Sequence, residues 1–183
     1  MPASLDPHGF GALFDAHVSA EFVARDVDAA MRTMTADPYV THLPTMTGGV
    51  GAAELRRFYQ HHFIPKWPVD VRITPISRTI GADRVVDEFI VSFTHDVEMD
   101  TLLPGIPPTG RRVDVPHVVV MEFRDGKIAH EHIYWDQACV LVQIGLLDPR
   151  GLPVSGAEQA QKLLDKTRPS NTLMARWPES APR

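Results

Sequence analysis

The chain has 183 residues, 44% of them hydrophobic and 22% charged, with a formal net charge of −5. That length supports one domain with a sizeable core, and an acidic balance without a basic run argues against nucleic-acid binding. No apolar run reaches the roughly 18 residues of a membrane span, and the single cysteine, Cys139, excludes an internal disulfide and a cysteine-based metal cluster. The start, Met1-Pro2-Ala3-Ser4-Leu5-Asp6, lacks the charged-then-apolar pattern of a secretory signal. The expectation is a cytoplasmic protein.

Residues 9–36 are expected to be helical. Phe10, Leu13, Phe14, His17, Val18, Glu21 and Phe22 recur near helical spacing. Asp26 suits the N-cap of a second helix with Val27, Ala30, Met31 and Met34 on its apolar side, and Asp37-Pro38 stops it. A polar loop over 41–51 contains His42. A third helix is predicted over Ala52 to Phe63, ended by Pro65. From Val69 the period changes to two, giving a strand through Ile76, a turn at Gly81-Ala82-Asp83 and a strand from Arg84 to Val97. Pro104, Pro107 and Pro108 make 100–110 a stiff loop. Its Leu102, Leu103 and Ile106 should fold over something apolar, at a cavity mouth or across a dimer.

Residues 112–137 hold the densest chemistry. They read as two long strands joined at Arg124-Asp125-Gly126-Lys127, where Asp-Gly is a strong hairpin signal. Alternation puts Val113, Val115, His117, Val119, Met121 and Phe123 on one face of the first strand. The second strand carries Glu131, Ile133 and Trp135 on one face and His130, His132 and Tyr134 on the other. Hydrophobic pattern alone leaves open which of these points inward. A short helix over Gln137 to Gly145, a turn at 148–153 and a helix over 156–166 follow. Residues 168–183 form a proline- and arginine-rich tail behind a single domain, 1–167.

Helices followed by four antiparallel strands make an α+β domain. The helices, the loop with His42 ahead of a helix, the strand pattern, and Gly126-Lys127-Ile128 followed by an aromatic-Asp ending together resemble the SnoaL-like polyketide cyclases of the nuclear transport factor 2-like superfamily. The resemblance covers roughly residues 10–147. It implies a cone-shaped, curved antiparallel sheet wrapped around the N-terminal helices, acid–base chemistry without cofactor or metal, and a homodimer paired through the sheet. It puts the Glu131–Ile133–Trp135 face inward and makes His117, Val119 and Met121 pocket residues. The family's last-strand aspartate falls at Ile133 and its pocket histidine near Val119, so the usual cyclase base is absent. His42 matches a loop histidine often seen in the family.

On these readings Glu131 is the candidate base, with His117 and His95 as proton shuttles. His42, Tyr59, Phe89, Val119, Ile133 and Trp135 are candidate walls for a small apolar ligand. A carboxylate in an apolar cone should have a raised pKa. Each residue also has a plainer reading: Glu131 in an ion pair with Arg112 or another strand arginine, the histidines buried and hydrogen-bonded, the aromatics filling the core. The turn is expected to set His117 opposite Ile133 and diagonal to Glu131, close enough for a relay. His130 and His132 could chelate a metal with Glu122 or face a partner; two histidines without a fixed third ligand are a weak metal signal. Cys139 is expected to be buried and inert. The sheet's outer face, with Val118, Val120, Ile90 and Tyr134 beside Glu88, should be covered by a second copy. Three functions remain: an enzyme acting on a small carbonyl compound, a ligand-binding module, and a scaffold whose cone is filled. A cavity of about 300 Å3 or more separates the last from the others.

Overall fold

The computed structural model describes residue 6 and residues 8–180. The N-terminal reading on Met1–Asp6 therefore falls almost wholly outside the described residues. Helix α1 (Phe10–Ser19) runs directly into a π-helical turn, Ala20–Ala24. Arg25, at φ 53°, breaks it, and α2 (Val27–Arg32) begins where Asp26 Oδ1 accepts the Ala29 N–H at 3.0 Å. Strands β1 (Met34–His42) and β2 (Thr47–Val50) come next. Helix α3 (Ala52–Phe58) continues as a second π-turn, Tyr59–Phe63, and a 3-10 turn, Ile64–Lys66, that contains Pro65. Strands β3 (Arg72–Ile80), β4 (Arg84–Thr94), β5 (Arg112–Arg124) and β6 (Lys127–Trp135) precede α4 (Gln137–Gln143) and α5 (Glu158–Leu164). Among the described residues no helix is long and apolar enough to cross a membrane.

One six-stranded sheet runs in the order β2-β1-β6-β5-β4-β3 and does not close. The fold is α+β as expected, but the sheet is not wholly antiparallel, because β1 lies parallel to β6. Both β1 and β2 fall where the sequence reads as helix end and polar loop. Ala36, Asp37 and Pro38 are poor strand formers. Pro38 is accommodated because the β1–β6 register breaks between Met34 and Tyr39, leaving it outside the ladder. The pairing of His42 with both Thr47 and Ile133 then makes it a strand residue rather than a loop one.

At the hairpin, Asp125 (φ 54°) and Gly126 (φ 72°) are both left-handed, the geometry of a two-residue turn that matches strand twist. The pairing lies two residues from the expected one: one residue is set at the turn, where Arg124 faces Lys127, and one by a register shift between Glu122 and Phe123. Glu131 faces Met121, Ile133 faces Val119, and His117 faces Trp135. Valines 113, 115 and 119, with Met121, Phe123, Ile133 and Trp135, bury one face of the sheet under α1, α3 and their π-turns. On the other face Val118 and Tyr134 pair across the strands at 36% and 44% exposure. Ile90 is not part of that exposed face, as it is buried within the chain. Helix α5 packs against β5. Leu102 and Leu103 are buried and Ile106 packs on the core, so the proline-rich loop does fold over apolar surface. Gln137 Nε2 fixes it by donating to the Leu102 carbonyl at 2.9 Å.

Edge strand β2 depends on a glycine. Gly48 sits at φ 142°, and a Cβ there would lie 1.9 Å from the Val40 carbonyl oxygen. Gly48→Ala is expected to cost about 2 kcal/mol or more, read from urea denaturation. An unchanged midpoint would mean that the β1–β2 pairing is looser than its register implies.

Candidate functional site

Between the helices and the inner face of the sheet lies a cavity of about 240 Å3. Its walls are largely aromatic and aliphatic, including Phe14, Phe22, Phe63, Trp67 and Val91, with Leu102 from the proline-rich loop. The volume is below the roughly 300 Å3 at which drug-sized ligand sites begin. It exceeds the roughly 150 Å3 in which an apolar cavity can hold benzene. The cone is therefore not filled by its own side chains, and it suits a compact ligand of one or two rings.

The chemistry of the cavity is concentrated where three elements meet. His17 and Glu21 are four residues apart on α1 and its π-turn, so both point the same way, into the sheet. Glu131 arrives from β6 and Tyr59 from the π-turn after α3. His17 Nε2 lies 3.0 Å from Glu131 Oε1 and 3.2 Å from Glu21 Oε1. The Tyr59 hydroxyl donates to Glu131 Oε1 at 3.4 Å and lies 3.3 Å from His17 Nε2. All four side chains are buried. Both π-turns carry a member of this group, which fits the frequent use of such turns at functional sites.

The hydrogen bonds fix the histidine tautomer. The Thr33 hydroxyl donates to the Ala30 carbonyl at 2.6 Å, so its oxygen is an acceptor toward His17 Nδ1, also at 2.6 Å. His17 therefore carries a proton on Nδ1, and Nε2 faces the carboxylates. Burial works against a charged imidazole, but the attraction of Glu21 and Glu131 outweighs it, and the His17 pKa rises well above its usual value. Burial lifts the Glu21 pKa, opposed by His17 and reinforced by the Glu131 charge. Burial and the two carboxylates also raise the Tyr59 pKa, so the phenol keeps its proton. His17 Nε2 and one oxygen from each glutamate lie within 4.8 Å of one another. That donor set can bridge a proton or hold a divalent cation. Among the described residues it is the candidate metal cluster, and it lies apart from the His130–His132 pair singled out in the sequence.

His42, Tyr59, Phe89, Val119, Ile133, His117 and Glu131 all line the cavity. Trp135 does not; it stands behind, stacked on His117 at 5.3 Å, with its Nε1–H donated to Gln137 Oε1 at 2.6 Å. The expected His117–Glu131 relay is absent. The register puts His117 opposite Trp135, where it lies between that ring and Phe89 and donates Nδ1–H to the Val115 carbonyl at 3.2 Å. His95 is outside the cavity wall and holds a loop instead. Its backbone N–H bonds Arg111, its carbonyl accepts from Thr109 and Gly110, and its Nδ1 meets the Thr109 hydroxyl at 3.1 Å. Arg112, the alternative partner weighed for Glu131, pairs with Asp70 at 3.1 Å. Glu88 accepts from the Ser77 hydroxyl, while Arg78 and Arg84 take other carboxylates. His130 and His132 lie on the outer side with ring centroids 4.5 Å apart, and Tyr39 stacks on His130 at 4.7 Å. Cys139 is buried, its pKa pushed up to about 11 by desolvation.

His17 and Glu21 are the residues that sequence reasoning missed. Both sit on the apolar face of the first helix, at the i, i+4 spacing of a shared site. Two ionisable groups on a buried helix face were the available signal.

A curved, open α+β sheet with helices over an apolar, acid-lined cavity is the architecture of the SnoaL-like and nuclear transport factor 2-like proteins. Residues 14–131 match the SnoaL-like domain family, and the chain belongs to it. A candidate polyketide cyclase from Xanthomonas campestris pv. campestris superposes with a TM-score of 0.61 at 21% identity, over 77% of this chain and 99% of that one. A candidate SnoaL-like polyketide cyclase from Jannaschia sp. CCS1 gives 0.60 at 22%, over 81% and 97%. AclR, a candidate hydroxylase from Streptomyces galilaeus, gives 0.60 at 22%, over 79% and 89%. At these identities the likeness establishes the fold. No curated protein matches the chain.

Two of the lining histidines set a pH response. Burial pushes the pKa of His42 and of His117 down to about 4. An unfolded imidazole titrates near 6.5. Between these values the unfolded chain binds more protons, so this contribution is complete above pH 6.5 and is lost as pH falls toward 4. It amounts to about 3 kcal/mol per histidine at most. The raised pKa values of His17 and Glu21 act oppositely, favouring the folded state at low pH and fading as pH rises. His117→Gln should therefore reduce the stability lost between pH 6.5 and 4, measured by urea denaturation at each pH. Equal losses in both proteins would show that His117 titrates normally.

Proposed function

We propose that the chain is an acid–base enzyme that moves a proton on carbon next to the carbonyl of a small, largely apolar molecule, using its own side chains. The observation that carries this reading is the placement of Glu131 on the cavity wall, 3.0 Å from His17 Nε2 and 3.4 Å from the Tyr59 hydroxyl. Both contacts fall on Oε1. Oε2 is the base: it takes the α-proton while the electron pair moves to the carbonyl oxygen. Tyr59, held protonated, turns its one O–H from Glu131 Oε1 to the developing oxyanion as the negative charge leaves the carboxylate. His17 fixes the Glu131 carboxylate and balances its charge, so it is a positioning residue. Return of the proton to another carbon gives isomerisation, and loss of a neighbouring leaving group gives dehydration.

Solvent deuterium exchange at the α-carbon of α-tetralone, followed by NMR, tests the assignment. Glu131→Gln keeps the shape and removes the base, and should slow exchange by about a hundredfold or more. An unchanged exchange rate in this variant removes Glu131 from the chemistry. The second reading, a ligand-binding module of the same fold, is favoured by Ile133, an apolar residue on the wall where the family aspartate is expected. It predicts ring-ketone binding by the native chain with no exchange above buffer.

The same reading includes a homodimer through the outer sheet face. Val118 and Tyr134 are exposed there as a cross-strand pair, with Tyr39, His130 and His132 alongside. Light scattering at micromolar concentration should give twice the chain mass, and Tyr134→Asp should shift it toward the monomer. A monomer in the native protein ends this part of the proposal.

A further inference from the structure

The polar groups on the cavity wall are unbalanced in two ways. The first is hydrogen bonding. The glutamate carboxylates accept, and the two lining imidazoles present acceptors as well. His42 donates Nδ1–H to the Thr47 carbonyl at 3.3 Å, and His117 donates Nδ1–H to the Val115 carbonyl at 3.2 Å. When neutral, each imidazole keeps only the Nε2 lone pair. Beside Glu131 the donor is the Tyr59 hydroxyl, which that carboxylate already receives. The other donors on the wall are the Trp67 indole N–H and the Arg78 guanidinium, the latter taken up by Asp87, Asp15 and the Gly11 carbonyl.

The second is charge. Glu21 and Glu131 share one imidazole between them, that of His17. Arg78, the one lining residue of permanent positive charge, is matched twice over. It pairs with Asp87 through Nε at 2.6 Å and Nη2 at 2.7 Å, and with Asp15 through Nη2 at 2.7 Å. Its guanidinium lies 4.7 Å over the Phe14 ring, so one aromatic face of the wall already holds a cation. The other aromatic walls, Phe22, Tyr59, Phe63, Trp67 and Phe89, offer further faces of this kind.

We propose that the natural ligand of this cavity carries a protonated nitrogen: a small cyclic or aromatic amine whose ammonium group lies against Glu21 and Glu131. Its N–H groups donate to the carboxylate oxygens and the two Nε2 lone pairs, and its charge offsets the unmatched carboxylate. The aromatic faces attract the cation and cover its apolar body. A carboxylate or phosphate in the same place meets the like charge of Glu21 and Glu131. This inference rests on the proposed active site and narrows its substrate to a carbonyl compound with a basic nitrogen, in which the nearby positive charge also acidifies the carbon to be deprotonated.

Isothermal titration calorimetry of the full chain at neutral pH, with three ligands of one shape, tests the charge preference. Benzylamine is a cation there, benzyl alcohol is neutral and benzoate is an anion. Benzylammonium should bind at least about tenfold more tightly than benzyl alcohol, with benzoate weakest. Glu21→Gln should remove most of that advantage and leave benzyl alcohol within about twofold. The wild-type series alone decides the matter if the variant does not fold. Equal binding of the alcohol, tighter binding of benzoate, or no benzylammonium binding at millimolar concentration overturns the inference. So does one equivalent of divalent metal bound through His17, Glu21 and Glu131, found by elemental analysis, because the ion would take up the carboxylate charge. Exchange of neutral α-tetralone without an amine preference sinks the amine and leaves the proton-transfer reading intact. An amine preference without exchange does the reverse.

Discussion

The structure turns on the contact of His17 with Glu131 and Glu21. It joins the first helix to the last strand, elements more than a hundred residues apart in the chain, and it does so inside the core. A buried carboxylate without a partner is costly, and two of them facing each other are worse. His17 makes the arrangement tenable because Thr33 holds its other ring nitrogen and turns Nε2 toward both oxygens. The sheet order follows the same demand. Strand β1 lies beside β6, so that Thr33, just ahead of it, meets His17 and Val40 stands opposite Glu131.

The two π-turns connect this electrostatic constraint to the backbone. A regular α-helix places successive residues at fixed angles, and an extra residue in a turn changes the direction of those that follow. In Ala20–Ala24 and Tyr59–Phe63 the altered turns carry Glu21 and Tyr59, whose polar ends converge on one atom, His17 Nε2. The aromatic residues that flank them, Phe22 and Phe63, pack edge to face at 5.8 Å and form part of the cavity wall. One local irregularity thus serves both the polar cluster and its apolar surroundings.

Both Glu131 and His117 line the cavity, but out of reach of each other, and this separates two kinds of buried polar group. His117 is satisfied by its own strand's backbone and stacked between rings, so burial drives it neutral. His17 meets two carboxylates and is driven toward the charged form. The residues are of one type with opposite electrostatic outcomes, and only the identity of the neighbours differs. His95 is a third case, bound into a loop by Thr109 and the backbone.

The sequence by itself determined the period-two strands β3 to β6, the Asp125-Gly126 turn and the Asp26 helix start, each written in local chemistry: alternation, a left-handed turn residue and a capping carboxylate. The inward face of β6 came only from the family resemblance, because alternation leaves both faces of that strand open. Strands β1 and β2 were not legible, because Asp37-Pro38 and Gly48-Gly49 carry loop chemistry and are held as strands only by their neighbours. Pairing register was also decided late, since the turn and an irregularity at Glu122–Phe123 each shift it by one residue and together move His117 away from Glu131. The partner of Glu131 was out of reach for a deeper reason. His17 and Glu21 show only that two ionisable groups share an apolar helix face. That this face meets β6 at Glu131, and not another strand, is a property of how helix and sheet pack, and no local pattern in either segment encodes it.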